Sequence, residues 1–290
     1  MPCIKELLSR GKSLLASENI SSPDLDTSLL LAEASGLSRE QIYTHDDLEL
    51  SEAQGRRFFE MLERRCRGEC TAYILGRREF WGLKFSVTSA VLVPRPDTEI
   101  LVEAALGILR SMALPRSILD LCTGSGAIAV ALKHERPDLE VLASDCSRAA
   151  LVIARKNAEQ MACEITFFQG DLFDALADNS SGAAGRHFSL ITANAPYVPS
   201  SSIAALTAEV RNEPRIALDG GADGLNIIRR IIAEAPAYLE EGGSLVLEGD
   251  PSQMTAMAAL MNGRGFAEPK LYRDLAGRNR VMAAVLPRPL

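Results

Sequence analysis

Histidine is nearly absent: His45, His134 and His187 are the only three in 290 residues, and they lie in separate segments. That spacing gives no histidine-based metal or proton-transfer cluster, and His134, near an expected helix C-terminus, is explained by the helix dipole. Cysteine is sparse and scattered. Cys3, Cys66, Cys70, Cys122, Cys146 and Cys163 form no CxxC pair and no zinc spacing with histidine, so reduced thiols and no metal site are expected. Long apolar runs are missing, since none approaches the ~18 residues that cross a bilayer. The opening MPCIKELLSRGKSLL lacks the continuous apolar core of a signal peptide and reads as an amphipathic helix. A basic excess is missing too: 31 Lys and Arg face 38 Asp and Glu, a net charge of −7 that does not suit a dedicated nucleic-acid binder. The expectation is a cytoplasmic protein with no membrane and no DNA partner. What is present is ordinary globular material, 47% hydrophobic and 24% charged, in a chain long enough for about two domains.

Residues 1–78 read as helical. Leu25, Leu29, Ala32 and Leu37 recur near helical spacing after a cap in Ser21-Ser22-Pro23-Asp24, and a longer amphipathic stretch runs from Ser51 to Leu75. Within it, the run from Arg56 to Glu79 holds seven Arg against four Glu, including RRCR at 64–67. That is either a solvated face or a contact for an acidic partner or RNA. At 79–94 the texture changes: EFWGLKFSV and VLVPRP, separated by Thr88-Ser89-Ala90, predict a hairpin and the domain boundary. From 95 to 290 strands and helices alternate. Strands are expected at 117–121, 140–145, 164–169, 188–193 and 243–248, with helices at 147–161 and about 226–239. This α/β alternation predicts a parallel sheet covered on both faces, with ligands beyond the C-terminal strand ends. A small-residue loop, DNSSGAAG, occupies 178–185.

Three of those strand ends carry chemistry. The first is Asp120-Leu-Cys122-Thr123-Gly124-Ser125-Gly126, which follows one strand and opens a helix. Its glycines let backbone approach a ligand, and the helix N-terminus supplies free N–H groups. Asp145, twenty-one residues after Gly124, ends the next strand where a carboxylate accepts ribose hydroxyls, so the pair points to an adenosine-containing cofactor. Gly124-x-Gly126-x-x-Ala129 also satisfies the dinucleotide pattern, and Cys122 is either a reactive thiol or a small turn filler. The second end is Asn194-Ala195-Pro196-Tyr197. An amide or exocyclic amino nitrogen is a poor nucleophile because its lone pair is delocalised. Two acceptors, the Asn194 side-chain carbonyl and the Ala195 backbone carbonyl, can grip both N–H groups and turn the lone pair toward a methyl donor. Pro196 stiffens the turn and the Tyr197 ring is placed to lie on a planar substrate. This favours methyl transfer over hydride transfer. The third end is Gln169-Gly170-Asp171-Leu172-Phe173, where Asp171 is a candidate acceptor for an adenine amino group and Leu172 or Phe173 for packing on its ring.

The loop Asp120-x-Cys122-x-Gly124-x-Gly126 resembles that of S-adenosylmethionine methyltransferases. With TAYILGRREFWGLKF (71–85), VLVPRPDTEILVE (91–103), NAPYV (194–198), EPRIALDGGADGL (213–225) and RDLAGRNRV (273–281), the chain resembles the release-factor glutamine methyltransferase family, HemK/PrmC type, over nearly its whole length. The resemblance implies a Rossmann-like class I methyltransferase domain, with a mostly parallel seven-stranded sheet, joined by a β-hairpin to a small all-α substrate-recognition domain. It implies N5-methylation of the glutamine in the Gly-Gly-Gln motif of peptide-chain release factors, and so a role in translation termination. S-adenosyl-L-methionine would be the co-substrate, with no metal, and the chain is expected to be a monomer. Carried over by residue, the cofactor sites are Cys122, Thr123, Gly124, Ser125, Gly126, Asp145, Asp171, Leu172 and Asn194. The catalytic turn is Asn194, Ala195, Pro196 and Tyr197.

The sequence departs from the family pattern in three places. Ala195 stands for the first proline of Asn-Pro-Pro-Tyr and keeps its carbonyl. Leu172 stands for an aromatic residue. Cys122 stands for the first loop glycine, so that position is expected to avoid strongly positive φ. Adenine-N6 methyltransferases of DNA or RNA share the Asn-x-Pro-Tyr logic and form the rival reading; a silent cofactor-binding scaffold would have no need of Asn194 and Tyr197. Segment 198–213 is expected to be a mobile lid. The segment Arg95-Pro96-Asp97-Thr98-Glu99 is expected to open a helix covering the cofactor, with Asp97 as its cap.

Overall fold

The computed structural model describes residues 2–111, 116–177, 184–267 and 269–288, so positions 178–183 of the expected small-residue loop lie outside the described residues. Contacts divide the chain into two compact units, Met1–Arg77 with Thr207–Asn212, and Arg78–Leu206 with Glu213–Leu290. No described helix is long and apolar enough to cross a membrane.

The first unit is built on five helices: α1 (Ile4–Ser17), α2 (Pro23–Ser35), α3 (Arg39–Thr44), α4 (Glu52–Cys66) and α5 (Thr71–Leu75). Their starts follow from local chemistry. Ser22 precedes Pro23 at the first turn of α2, and Ser38 with Gln41 and Ser51 with Gln54 form reciprocal caps on α3 and α4. The stretch expected to run unbroken from Ser51 to Leu75 is divided between α4 and α5, because Gly68 adopts φ +85° and ends the helical path. Ile4, Leu7, Leu30, Leu31, Phe58 and Leu62 are fully buried between the helices. Each such side chain contributes about 2 kcal/mol by leaving water.

The RRCR segment is divided: Arg67 is solvent-exposed and Arg64 partly so, while Arg65 is buried in an ion-pair cluster. Arg65 is 1% exposed; its Nε donates to Asp26 at 2.8 Å and its Nη2 pairs with Glu209 from the returning segment. Asp26 also accepts from the Thr71 hydroxyl at 2.9 Å, and Arg64 pairs with Glu69. Replacing Arg65 with methionine leaves Asp26 charged and buried without its partner, so a loss of about 3 kcal/mol is expected in urea unfolding of the full chain. Glu209→Gln, at a carboxylate one-third exposed, is expected to cost less than about 1 kcal/mol. Equal costs would contradict this assignment.

The second unit opens with a hairpin of β1 (Arg77–Phe80) and β2 (Leu83–Ser86). Its turn is not at Thr88-Ser89-Ala90 but at Trp81-Gly82, with φ +54° and +67° at the two central residues. Positive φ at both matches the right-handed twist of paired strands, and a glycine supplies one of them. Phe80 and Phe85 are buried edge to face, with centroids 6.0 Å apart.

After α6 (Glu99–Arg110) come β3 (Ser117–Leu121), α7 (Ala127–Glu135), β4 (Glu140–Asp145), α8 (Arg148–Gln160), β5 (Thr166–Gln169) and β6 (Phe188–Ala193). A short α9 (Ala208–Arg211) precedes α10 (Asn226–Glu234), β7 (Leu239–Glu248), α11 (Met254–Asn262), β8 (Lys270–Arg273) and β9 (Asn279–Val285). The seven strands of the main sheet lie in the order β5-β4-β3-β6-β7-β9-β8, and among them only β9 runs against the rest. The central strands read as unbroken apolar runs because both faces are covered; every residue of β6 is buried. The chain leaves β3 toward β4 and β5, then returns to place β6 on the other side of β3. This order reverses at β3 and β6, and a crevice opens at their C-terminal ends.

Candidate active site

A cavity of about 810 Å³ opens at that crevice, a size suited to a small-molecule ligand. Cys122, Thr123, Gly124, Ser125, Asp145, Asp171, Leu172, Asn194 and Pro196 line it, so three strand ends singled out in the sequence converge on one space. Three expected residues do not line it. Gly126 sits behind the loop at φ +81°, where an added Cβ would press on Ala154 at 3.2 Å. Ala195 is 2% exposed in the core beneath. Tyr197 packs against that same core, and its hydroxyl donates to Glu248 Oε1 at 3.2 Å.

The glycine loop is fixed from below. Asp120 is fully buried at the end of β3, accepting from the Thr123 hydroxyl at 2.6 Å and the Thr192 hydroxyl at 2.9 Å, and burial raises its pKa to about 7. It braces the loop and β6 together. Asp145 accepts the Gly124 N–H at 2.9 Å on one oxygen and the Ser147 N–H at 2.8 Å on the other. Each oxygen keeps a lone pair for a diol. Burial raises its pKa while those two N–H groups hold it down.

Cys122 does not avoid positive φ; it adopts +54°. The loop keeps the glycine geometry and carries a Cβ in it, a strain of about 1–2 kcal/mol. Its thiol is pushed well above its usual pKa by burial and by Asp145, so it is held protonated rather than as a nucleophile. Cys122→Gly is therefore expected to stabilise the protein by about 1 kcal/mol in urea unfolding; a destabilisation of that size would show that thiol packing outweighs the strain. Leu172 also adopts positive φ, +51°, and is 5% exposed. Asp171, assigned in the sequence to the adenine amino group, pairs with Arg230 at 2.9 Å, and Arg230 also lines the cavity.

The Asn194–Tyr197 turn leaves β6 and is held on three sides. Gln253 Nε2 donates to the Tyr197 carbonyl at 2.9 Å, and the Val198 N–H donates to the Leu218 carbonyl at 2.9 Å. The DGGADG loop lies directly on the turn: a Cβ at Gly220 would sit 2.7 Å from the Pro196 oxygen. Asn194 Nδ2 donates to the Thr98 hydroxyl at 3.1 Å, while neither Asn194 Oδ1 nor the Ala195 carbonyl accepts a hydrogen bond among the described residues.

Sequence reasoning missed Gln253 and Glu248; Arg95 and Thr98 belong to the segment expected to cover the cofactor and both line the cavity, but their partners were not read. Asp97 is not a helix cap; Arg280 and Arg278 reach it at 3.4 and 3.8 Å, and Pro96–Thr98 forms a 3-10 turn ahead of α6. Arg95 pairs with buried Glu213. Glu248, fully buried at the end of β7, has its pKa raised to about 7 by burial. A carboxyl that holds its proton more tightly when folded stabilises the fold fully below its ordinary pKa of 4.5, and this contribution is lost as pH rises through 7. Glu248→Gln is expected to flatten the fall in unfolding free energy between pH 5 and 8, with Asp120 left to supply the remaining slope. An unchanged slope would contradict the assignment.

The pattern described as the PrmC N-terminal domain matches residues 6–76, and the methyltransferase small domain matches 98–210. A methyltransferase from Pyrococcus furiosus superposes with a TM-score of 0.52 over 82% of this chain and 100% of its own, at 14% identity, and so shares the fold. The release factor glutamine methyltransferase of Geobacter sulfurreducens is 38% identical over 96% of this chain and 95% of its own length. That of Xylella fastidiosa is 41% identical over 91% and 93%. At that identity over nearly the full length of both chains, this protein belongs to the release factor glutamine methyltransferase family.

Proposed function

We propose that this chain transfers a methyl group from S-adenosyl-L-methionine to the side-chain amide nitrogen of the glutamine in the Gly-Gly-Gln motif of peptide-chain release factors, in the cytoplasm and as a monomer. The observation that carries the reading is Asn194 Oδ1, which accepts no hydrogen bond among the described residues and belongs to a side chain that lines the cavity with the glycine loop and Asp145. On this reading the Ala195 carbonyl, which accepts no hydrogen bond among the described residues, is the second acceptor, one for each N–H of a primary amide.

The residues fit the co-substrate on this structure's own geometry. Asp145 offers two oxygens for a ribose diol, Gly124 and Ser125 bring bare backbone to the cavity wall, and Leu172 and Ile128 line it with apolar surface. S-adenosylmethionine supplies, when bound, an electrophilic methyl on a sulfonium. The chain's own part is positioning. Asn194 and Ala195 accept both N–H bonds of the glutamine amide, which favours a pyramidal nitrogen and frees its lone pair. Pro196 fixes the angle between the two acceptors, and Tyr197, tied to Glu248, holds the far end of the turn in place. As the new N–C bond forms and the C–S bond of the sulfonium breaks, the nitrogen releases one N–H proton to solvent; no strong base is required before transfer, because the amide is neutral.

Incubation with labelled S-adenosylmethionine and a release factor tests this. Label is expected on the intact factor and not on a factor whose Gly-Gly-Gln glutamine is alanine. Label on DNA or RNA instead would favour the amino-nitrogen rival; label on none of these would favour a binding scaffold.

A further inference from the structure

The Arg95–Glu99 segment opens α6, and four of its side chains are engaged at separate places. Arg95 meets Glu213, Asp97 meets Arg278 and Arg280, and Glu99 accepts the Trp81 N–H at 2.7 Å. These three hold the turn. Thr98 does something different: it is 4% exposed, lines the cavity and contacts Asn194.

A primary amide side chain can be seated two ways that fill nearly the same space. Only one turns its carbonyl to the substrate; the other would present an NH2 group to a nitrogen that itself carries N–H bonds. A lone hydroxyl does not choose between them, since it can accept from NH2 or donate to C=O. The neighbour behind Thr98 decides. Its hydroxyl lies beside the Glu248 carboxyl and is among the groups that favour the charged form. Oε1 of that carboxyl takes the Tyr197 hydroxyl, while Oε2 is buried without a hydrogen bond among the described residues. Once ionised, above pH about 7, that carboxylate only accepts, so the Thr98 proton is drawn toward it and the hydroxyl oxygen is left to accept from Asn194 Nδ2. Asn194 Oδ1 is thereby turned outward.

We propose that Thr98, backed by Glu248, is the positioning residue that sets the amide orientation of Asn194 and so makes its carbonyl the acceptor for the substrate nitrogen. This rests on the methyl-transfer reading of the site. Glu248 serves both ends of the turn, Asn194 through Thr98 and Tyr197 directly, although it lies fifty-one residues beyond Tyr197.

The test compares Thr98→Val, which keeps the shape and removes the hydroxyl, with Thr98→Ser, which restores it. Steady-state kinetics with a release factor are read beside calorimetric affinity for S-adenosylhomocysteine and NMR hydrogen exchange of the Asn194 side-chain NH2. For Thr98→Val, kcat is expected to fall about tenfold or more with KM for the release factor and S-adenosylhomocysteine affinity within about threefold, and NH2 exchange is expected to quicken. Thr98→Ser is expected to recover kcat to within about threefold and slow the exchange again. The proposal is overturned if Thr98→Val keeps kcat within about twofold, if Thr98→Ser loses as much as Thr98→Val, or if cofactor affinity falls in step with kcat. If the unmodified chain methylates no release factor, the functional reading fails by itself. The exchange measurement still decides whether Thr98 holds Asn194, and unchanged exchange in Thr98→Val overturns the proposal there too.

Discussion

Asn194→Ala is expected to lower turnover about 10²–10³-fold while S-adenosylmethionine affinity stays within a few-fold. The split follows from where its atoms are engaged. Asn194 Nδ2 is bound to Thr98, and Oδ1 has no partner among the described residues. The glycine loop and Asp145 hold each other through the Gly124 N–H without it. Removing the side chain therefore takes away one of the two acceptors proposed for the reacting nitrogen and leaves the proposed cofactor wall standing. Calorimetry and steady-state kinetics on the same preparation separate the two effects. Parallel losses in affinity and turnover would mean that Asn194 serves the cofactor rather than the substrate.

The second large effect is expected at Gly224, outside the motifs that carry the chemistry. Its φ is +77°, and a Cβ there would lie 2.2 Å from the Tyr197 carbonyl oxygen and 2.4 Å from Gln253 Nε2. The oxygen is backbone and Gln253 is the group that holds it, so alanine cannot be accommodated without moving the Asn194–Tyr197 turn. Backbone strain of about 1–2 kcal/mol adds to overpacking of similar size, giving about 3 kcal/mol of lost stability. Turnover is expected to fall at least about tenfold, since displacement of a positioned group by an ångström is costly. Gly277 provides the control: its φ is also +77° and nothing lies within 4 Å of an added Cβ. Gly277→Ala is expected to cost only the strain and to leave turnover unchanged. If both variants lose turnover equally, the DGGADG loop is not a brace for the turn.

Features with local causes were legible in the sequence. The strands expected at 117–121, 140–145 and 188–193 are β3, β4 and β6, because a strand buried on both faces is written as an unbroken apolar run. The edge strand shows the limit: 164–169 shortens to Thr166–Gln169, where the residues are only partly buried and pattern says less. The expected strand at 243–248 extends back to Leu239, through a polar Glu240-Glu241-Gly242-Gly243 stretch that interrupts the β6 register between the Phe188–Leu239 and Leu190–Ser244 pairs. The Trp81-Gly82 turn was missed although glycine marked it, since the second candidate strand, at 91–96, drew the turn too far along the chain.

The site was legible where one segment supplies the geometry, as in the loop after β3 and the turn after β6. It was not legible where it depends on distant partners. Thr98 reaches Asn194 across ninety-six positions, Glu248 reaches Tyr197 across fifty-one and Gln253 reaches the Tyr197 carbonyl across fifty-six. Nothing in local periodicity marks a threonine as the acceptor for an amide that folding alone brings near. Cys122 is the converse case. The sequence marked the position as unusual, but only the backbone shows that the loop keeps the glycine conformation at a cost in strain.

The central claim is that the atom methylated is the side-chain amide nitrogen of one glutamine. Tandem mass spectrometry of a release factor treated with this protein and S-adenosylmethionine tests it most directly. The account predicts one added methyl group, located by fragmentation on the glutamine side chain of the Gly-Gly-Gln peptide and absent when Asn194→Ala replaces the unmodified enzyme. A methyl group on any other residue of the factor, or undiminished labelling by the Asn194→Ala variant, would contradict it.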